Sequence, residues 1–442
     1  MTDTYDLIIR GGEVWATGGL ARTDVAVSGG RIAHVGDLGV ADAETVIDAA
    51  GLTVLPGMID SQVHFREPGN EQKEDLESGT RSAALGGITA VFEMPNTNPL
   101  TTTAEALADK ISRAKGRAWT DHAFFMGASA ENADQLAVLE RVPGCCGVKM
   151  FMGSSTGNLL VPDDEMVRRV LANGARRMSV HSEDEYRLEE RKVECIEGDP
   201  SSHPVWRDEE TAIRSTKRLL KIARETGRRV HVLHITTAEE VEILAGYKDV
   251  ATCEVTPQHL TLAAPECYER LGTYAQMNPP IRDAAHRSGL WRGIEQGVFD
   301  VIGSDHAPHT REEKARPYPA SPSGMPGAQT TVAVMLDHVA NGRLSLARLV
   351  DLLCSGPQRI FNIAGKGRIA QGYDADFTLV DLKAKREITA DWLAYKCGWS
   401  PYEGMTVTGW PVGTIIRGNV VMRDGELADA PVGEPVRFME TL

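Results

Sequence analysis

The chain has 442 residues, 42% of them hydrophobic and 25% charged, with a formal net charge of -15. This is the composition of an ordinary soluble globular protein, long enough for about two to three domains or one large barrel with an accessory module. The acidic balance excludes nucleic acid and an anionic membrane as main partners, since those need clustered Lys and Arg, so a small anionic substrate would need a local basic pocket. No apolar run reaches the roughly 18 residues of a transmembrane helix. Met1 to Asp6 lack the basic and apolar segments of a secretion signal. The seven cysteines form no C-x-x-C pair and are expected as reduced thiols of a cytoplasmic protein.

Apolar runs at 7–9, 25–27, 32–35 and 53–55, punctuated by Gly11-Gly12, Gly18-Gly19 and Gly29-Gly30, predict a small antiparallel sheet. After Pro56-Gly57 strands alternate with helical stretches such as 102–115 and 209–226, the pattern of a parallel sheet with crossover helices. Strands are predicted over 52–59, 88–94, 123–127, 147–152, 178–181, 230–235, 252–255 and 299–303. Eight of them in about 250 residues predict a (β/α)8 TIM-type barrel, with functional groups at the C-terminal strand ends. From Gly365 short strands return at 377–380, 413–417 and 419–423. Residues 1–55 and 366–442 are therefore expected to form one composite β-sandwich module, and 56–365 the catalytic barrel. The Pro-rich loop 315–327 follows the last barrel strand and is placed to cover the mouth.

Asp60-Ser61-Gln62-Val63-His64-Phe65-Arg66 directly follows the first apolar run. By itself it reads equally as a metal or anion site and as a buried histidine beside a surface ion pair. Asp305, in Gly303-Ser304-Asp305-His306 after the last strand, can bind a metal, move a proton or cap a turn. His181 and His234 lie late on successive strands; since residues 231 and 234 face opposite sides of a strand, His234 is the better ligand candidate of that pair. Lys149, inside Cys145-Cys146-Gly147-Val148-Lys149-Met150-Phe151-Met152, would be pushed toward a neutral amine by burial, and a neutral amine can add carbon dioxide to become a metal-bridging carbamate. The alternative is a lysine snorkelling from the strand end.

Together with Met94-Pro95-Asn96-Thr97-Asn98-Pro99, Lys149 to Asn158, His181-Ser182-Glu183, Asn278-Pro279-Pro280 and Ser304 to His309, these segments resemble the amidohydrolase superfamily, and within it the dihydroorotases, over nearly the whole chain. The resemblance implies an enzyme that interconverts dihydroorotate and N-carbamoyl-L-aspartate in pyrimidine synthesis. It implies His64, an N6-carboxylated Lys149, His181, His234 and Asp305 as ligands of one or two Zn2+ ions, and Asp305 as general base and acid. It implies Arg66, Asn98 and His309 as holders of the substrate carboxylate, and Asn278 beside the ring. The loop 153–160 is expected over the substrate, and a homo-oligomer, such as a dimer, is expected.

The family pattern has His-x-His after the first strand, where this chain has Gln62-Val63-His64. A carboxamide is a poorer zinc ligand than imidazole. The metal position formed by Lys149, His181 and His234 is therefore expected to be firm, and the one beside Gln62 weak or empty. Thr256-Pro257-Gln258-His259 is a second departure. Rival readings are a cyclic amidase of the allantoinase or hydantoinase type, which Arg66 disfavours, and a non-catalytic subunit supporting aspartate transcarbamoylase, which five intact ligand-type residues disfavour. His122, His203, His286, His306 and His338 fit no ligand position and read as structural or surface residues.

Overall fold

The computed structural model describes residues 4–155 and 159–441. The chain opens with β1 (Thr4–Ala16), β2 (Gly19–Ser28), β3 (Arg31–Gly36), β4 (Asp42–Asp48) and β5 (Thr53–Pro56). The barrel strands follow: β6 (Met58–Val63), β7 (Ile88–Glu93), β8 (Asp121–Gly127), β9 (Cys145–Phe151), β10 (Met178–His181), β11 (Val230–Val232), β12 (Ala251–Val255) and β13 (Val301–Ile302). The chain ends with β14 (Phe377–Glu387), β15 (Thr406–Ile416), β16 (Asn419–Arg423) and β17 (Glu426–Leu427).

β6 to β13 pair in chain order as an eight-stranded parallel sheet. It closes where Val63 bridges His306 and the His64 N–H donates to the His306 carbonyl at 2.7 Å. Every residue of these strands is buried, as a parallel sheet covered by crossover helices requires. Helix Glu209–Thr226 shows how the sequence sets a crossover. Asp208 caps its start by accepting from the Thr211 N–H, and Gly227 at φ 70 ends it in the left-handed conformation. Inside the barrel, Phe92, Phe125, Phe361 and Phe438 pack edge to face and fill the space beneath the strand ends.

The remaining nine strands form one continuous sheet, so the expected module is a single folded sheet sharing one core. β1 joins its parts: it pairs with β4 up to Arg10 and with β5 from Glu13. The handover falls at Gly11-Gly12, where a Cβ on Gly12 would lie 2.9 Å from the Ala49 Cβ. The predicted strand 52–59 is in fact two strands in different sheets. They part at Gly57, whose absent Cβ would stand 2.5 Å from Thr89 Oγ1 and 2.6 Å from the Asp376 Cβ. Nothing in an apolar run marks such a crossing except the glycine. Among the described residues no helix is long and apolar enough to cross a membrane, and all seven cysteines are free.

Sheet and barrel are joined by buried charge. Lys366 Nζ lies 2.6 Å from both Asp121, the first residue of β8, and Asp376, and 3.3 Å from Asp374. The three carboxylates hold the ammonium far above the ordinary lysine range despite burial. Lys366→Met should therefore leave buried carboxylates uncompensated and lower stability by about 3–5 kcal/mol, read as a shift in the denaturant midpoint.

Candidate active site

At the C-terminal ends of the barrel strands a cavity of about 20 Å³ is lined by Gln62, His64, Arg66, Lys149, Phe151, Ser155, His181, His234, Asn278, Asp305, Ala307, Ser323 and Gly324. All five predicted metal-ligand residues thus meet, with Arg66, Asn278 and Gln62. Ser323 and Gly324 come from the Pro-rich loop, which does cover the mouth. Of the loop 153–160, residues 156–158 lie outside the described residues.

Two predicted substrate contacts are placed differently. Asn98 is exposed and does not line the cavity; instead Asn96 reaches His64, with Oδ1 2.8 Å from Nδ1. His309 is buried behind Arg66, its Nε2 3.0 Å from the Ser323 carbonyl.

Burial keeps the bases neutral. It lowers the His64 pKa to about 4 against the nearby Asp305 carboxylate, and lowers those of His181 and His234 as well. A neutral imidazole has one N–H. His64 has its Nδ1 2.8 Å from the Asn96 side-chain amide and its Nε2 3.3 Å from Asp305 Oδ1, a hydrogen-bond contact that opposes the fall in its pKa. His181 donates from Nε2 to Glu183 Oε2 at 2.9 Å, so its Nδ1 lone pair faces His234 Nε2 at 3.1 Å. Glu183 has no exposed surface and is ion-paired to Arg207, which holds its carboxyl far below the usual range. Arg207 also donates to the Ser154 carbonyl at 2.6 Å, tying this support to the loop after β9.

Lys149 sits in β9 with Nζ 4.4 Å from the Phe151 ring centre. Burial pulls its pKa down to about 7, with Asp305 and Glu254 opposing. A substantial fraction is therefore free amine at neutral pH, the form that can add carbon dioxide. Gln62 Nε2 donates to Asp305 Oδ1 at 3.0 Å, and its Oε1 is buried with no hydrogen-bond partner among the described residues. Since a carboxylate only accepts, the nitrogen must face Asp305.

Sequence reasoning gave no role to Glu183, Arg207, Asn96 or Glu254. The His181-Ser182-Glu183 spacing was a usable signal for Glu183, and an acid inside the apolar run 252–255 for Glu254. Gln258, in the second departure, donates to the Ser304 carbonyl at 2.8 Å, and His259 bonds to Thr256 and the Pro279 carbonyl. Both brace the loops around Asp305. His306 faces away from the cavity, accepting from the Gly327 N–H at 3.0 Å.

Neutral imidazoles, a buried lysine amine and a carboxylate converge on one buried cavity, side chains of the types that bind divalent cations, although among the described residues no His, Cys, Asp and Glu group is arranged to hold a metal ion. The amidohydrolase family model matches residues 53–421, the whole barrel and part of the sheet. The chain belongs to the amidohydrolase family, among the cyclic amide hydrolases. It is 37% identical to a dihydroorotase of Halobacterium salinarum, over 94% of this chain and 96% of that one. It is 35% identical to an allantoinase of Escherichia coli, over 95% of each. In structure it is similar to an L-hydantoinase (dihydropyrimidinase) from Arthrobacter aurescens, with TM-score 0.92, 29% identity and coverage of 98% and 99% of the two chains.

Because Glu183 fixes the proton of His181 on Nε2, Glu183→Gln should lower divalent-metal affinity by about 10–100-fold, measured by competition with a chelator of known affinity.

Proposed function

We propose that the enzyme interconverts (S)-dihydroorotate and N-carbamoyl-L-aspartate, the ring-closing chemistry of pyrimidine synthesis, with zinc held by His64, N6-carboxylated Lys149, His181, His234 and Asp305. The observation that carries the substrate is Arg66. Its guanidinium lines the cavity, is 5% exposed and has no ion-pair partner among the described residues. Burial lowers its pKa to about 10, so it stays charged at neutral pH. An unpaired buried cation is costly, and a substrate carboxylate relieves that cost where an uncharged ring does not.

The neighbouring histidine leaves the guanidinium available. Burial lowers the His309 pKa to about 3, so the ring is neutral. Lys73 donates to its Nδ1 at 3.1 Å, so the ring hydrogen is on Nε2 and goes to the Ser323 carbonyl. Arg66 Nε donates to the Pro308 carbonyl at 3.2 Å and one NH2 lies 3.3 Å from His309 Nε2, and neither neighbour carries a charge that would neutralise the guanidinium. Arg66 then grips the carboxylate with charge-assisted bonds.

The donor set fits zinc, whose chemistry when bound is to polarise a carbonyl and lower the pKa of water. Asp305, oriented by the Gln62 amide, takes the proton of the attacking water and delivers it to the leaving ring nitrogen; ring closure runs the same transfers in reverse. Gln62 spends its donor on Asp305, so the Lys149, His181 and His234 side is the stronger metal position.

Two measurements test this reading. Dihydroorotate should be turned over in preference to allantoin and hydantoin, and Arg66→Ala should cut its kcat/KM by about 30–150-fold, the loss expected for charge-assisted hydrogen bonds. A clear preference for an uncharged ring overturns the substrate. Elemental analysis should find zinc at one equivalent or slightly more, and dialysis against a chelator should abolish turnover until zinc is restored. Two full equivalents would overturn the weak position beside Gln62.

A further inference from the structure

His203 lies on no barrel strand, yet its imidazole has no exposed surface and touches the cavity wall. Its Nε2 is 2.9 Å from Asn278 Oδ1 and 3.1 Å from the Met277 carbonyl, and its Nδ1 is 3.3 Å from the Tyr318 hydroxyl. Burial and the neighbouring Arg207 push its pKa down to about 3, so the ring is neutral and carries one hydrogen.

The partners fix where that hydrogen is. The Met277 carbonyl can only accept, so Nε2 bears the N–H and shares it between the two oxygens as a three-centre bond. The Asn278 atom facing Nε2 must then accept, which makes it Oδ1 whatever the ambiguity of an amide in isolation. Nδ1 is left as an acceptor and takes the Tyr318 O–H. Of the other neighbours of that hydroxyl, Ser202 lowers the Tyr318 pKa as a donor would, and Cys195 Sγ at 3.4 Å is the weaker acceptor. With its oxygen engaged, Asn278 has an amide nitrogen that meets no hydrogen-bond partner among the described residues, at the cavity it lines.

We propose that the buried Tyr318 and His203 pair fixes Asn278 as a hydrogen-bond donor to a ring carbonyl oxygen of the cyclic amide, making His203 a positioning residue for substrate selection. The inference rests on the cavity being a cyclic-amide site, and holds for any ring in which a carbonyl flanks the amide nitrogen. Rings with a donor at that edge are rejected, because two donors would face each other without water.

The test uses the zinc-loaded full chain with dihydroorotate and hydantoin, which share such a carbonyl. His203→Phe should raise KM about tenfold, one hydrogen bond's worth of binding, with kcat within about twofold. His203→Gln, whose amide can reach the Nε2 position as a donor, should restore KM to within about threefold of the unmodified enzyme. An unchanged KM in His203→Phe, a fall in kcat alone, or failure of glutamine to rescue overturns the proposal. If His203→Phe does not fold, 15N NMR of the unmodified enzyme decides: His203 protonated on Nε2 across neutral pH supports it, and protonation on Nδ1 overturns it. A wild type that accepts only hydantoin overturns the dihydroorotate reading and leaves this test readable from the hydantoin KM.

Discussion

Three of the side chains that define the cavity are aimed into it by backbone that L residues avoid: Arg66 at φ 66, His234 at φ 37 and Asp305 at φ 45. Each such residue costs about 1–3 kcal/mol and persists only where its surroundings fix it. Two buried acids in the barrel do so for Asp305 and His234, and the Pro308 carbonyl accepts from Arg66. Asp60 Oδ1 accepts the Ser304 N–H at 3.0 Å and the Gln62 N–H at 3.3 Å, holding the approaches to both Asp305 and His64. Glu254 accepts the His234 N–H and takes a hydrogen bond from Ser61 Oγ at 3.4 Å. Burial raises the Asp60 pKa to about 6 and drives that of Glu254 well above its ordinary value. The site therefore depends on acids that contact no substrate and are themselves unfavourable where they are.

The same burial supplies the chemistry. Removing these groups from water lowers the pKa of His64, His181 and His234, leaving neutral imidazoles, and brings that of Lys149 down to about 7, where part of it is free amine. A metal entering such a cavity displaces few protons, which keeps its affinity from collapsing as pH falls toward neutrality. Arg66 escapes this neutralisation because a guanidinium starts from so high a pKa that burial leaves it charged. One desolvated chamber thus holds neutral imidazoles beside a charged guanidinium, without a separate mechanism for each.

The barrel and most of its cavity were legible in the sequence because strand ends carry function in this fold, and His64, Lys149, His181, His234 and Asp305 all stand at or near them. What escaped was set by contacts between distant segments. Asn96 and Asn98 lie in one short turn, and its course, packed so closely on Gly69 that a Cβ there would strike the Asn98 carbonyl at 2.3 Å, leaves Asn98 exposed and brings Asn96 to His64. Strand alternation correctly separated His231 from His234, but β11 ends at Val232, so the left-handed backbone at His234, and no pleat, aims it inward. Arg207 and His203 come from a helical excursion with no pattern pointing at the cavity. A histidine there reads as surface until Tyr318, more than a hundred residues away, is seen against it.

The polar groups around the cavity are of three distinct kinds, and their order explains how a small space can select a substrate. Arg66, a buried guanidinium with no ion-pair partner among the described residues, asks for a negative charge. Asn278, with its oxygen already engaged by His203, asks for an acceptor. Between them Asp305, fixed by the donated Gln62 amide, can take and return one proton. An acid, a carbonyl and a scissile amide on one rigid ring satisfy all three, whereas a ring without the acid leaves the most expensive of them, the buried guanidinium, unanswered. Arg66 and Asn278 are held from behind the cavity wall, by the Pro308 carbonyl and by His203, and Asp305 by Gln62 within the wall, so the selectivity of the space is set by these supports as much as by the groups that face it.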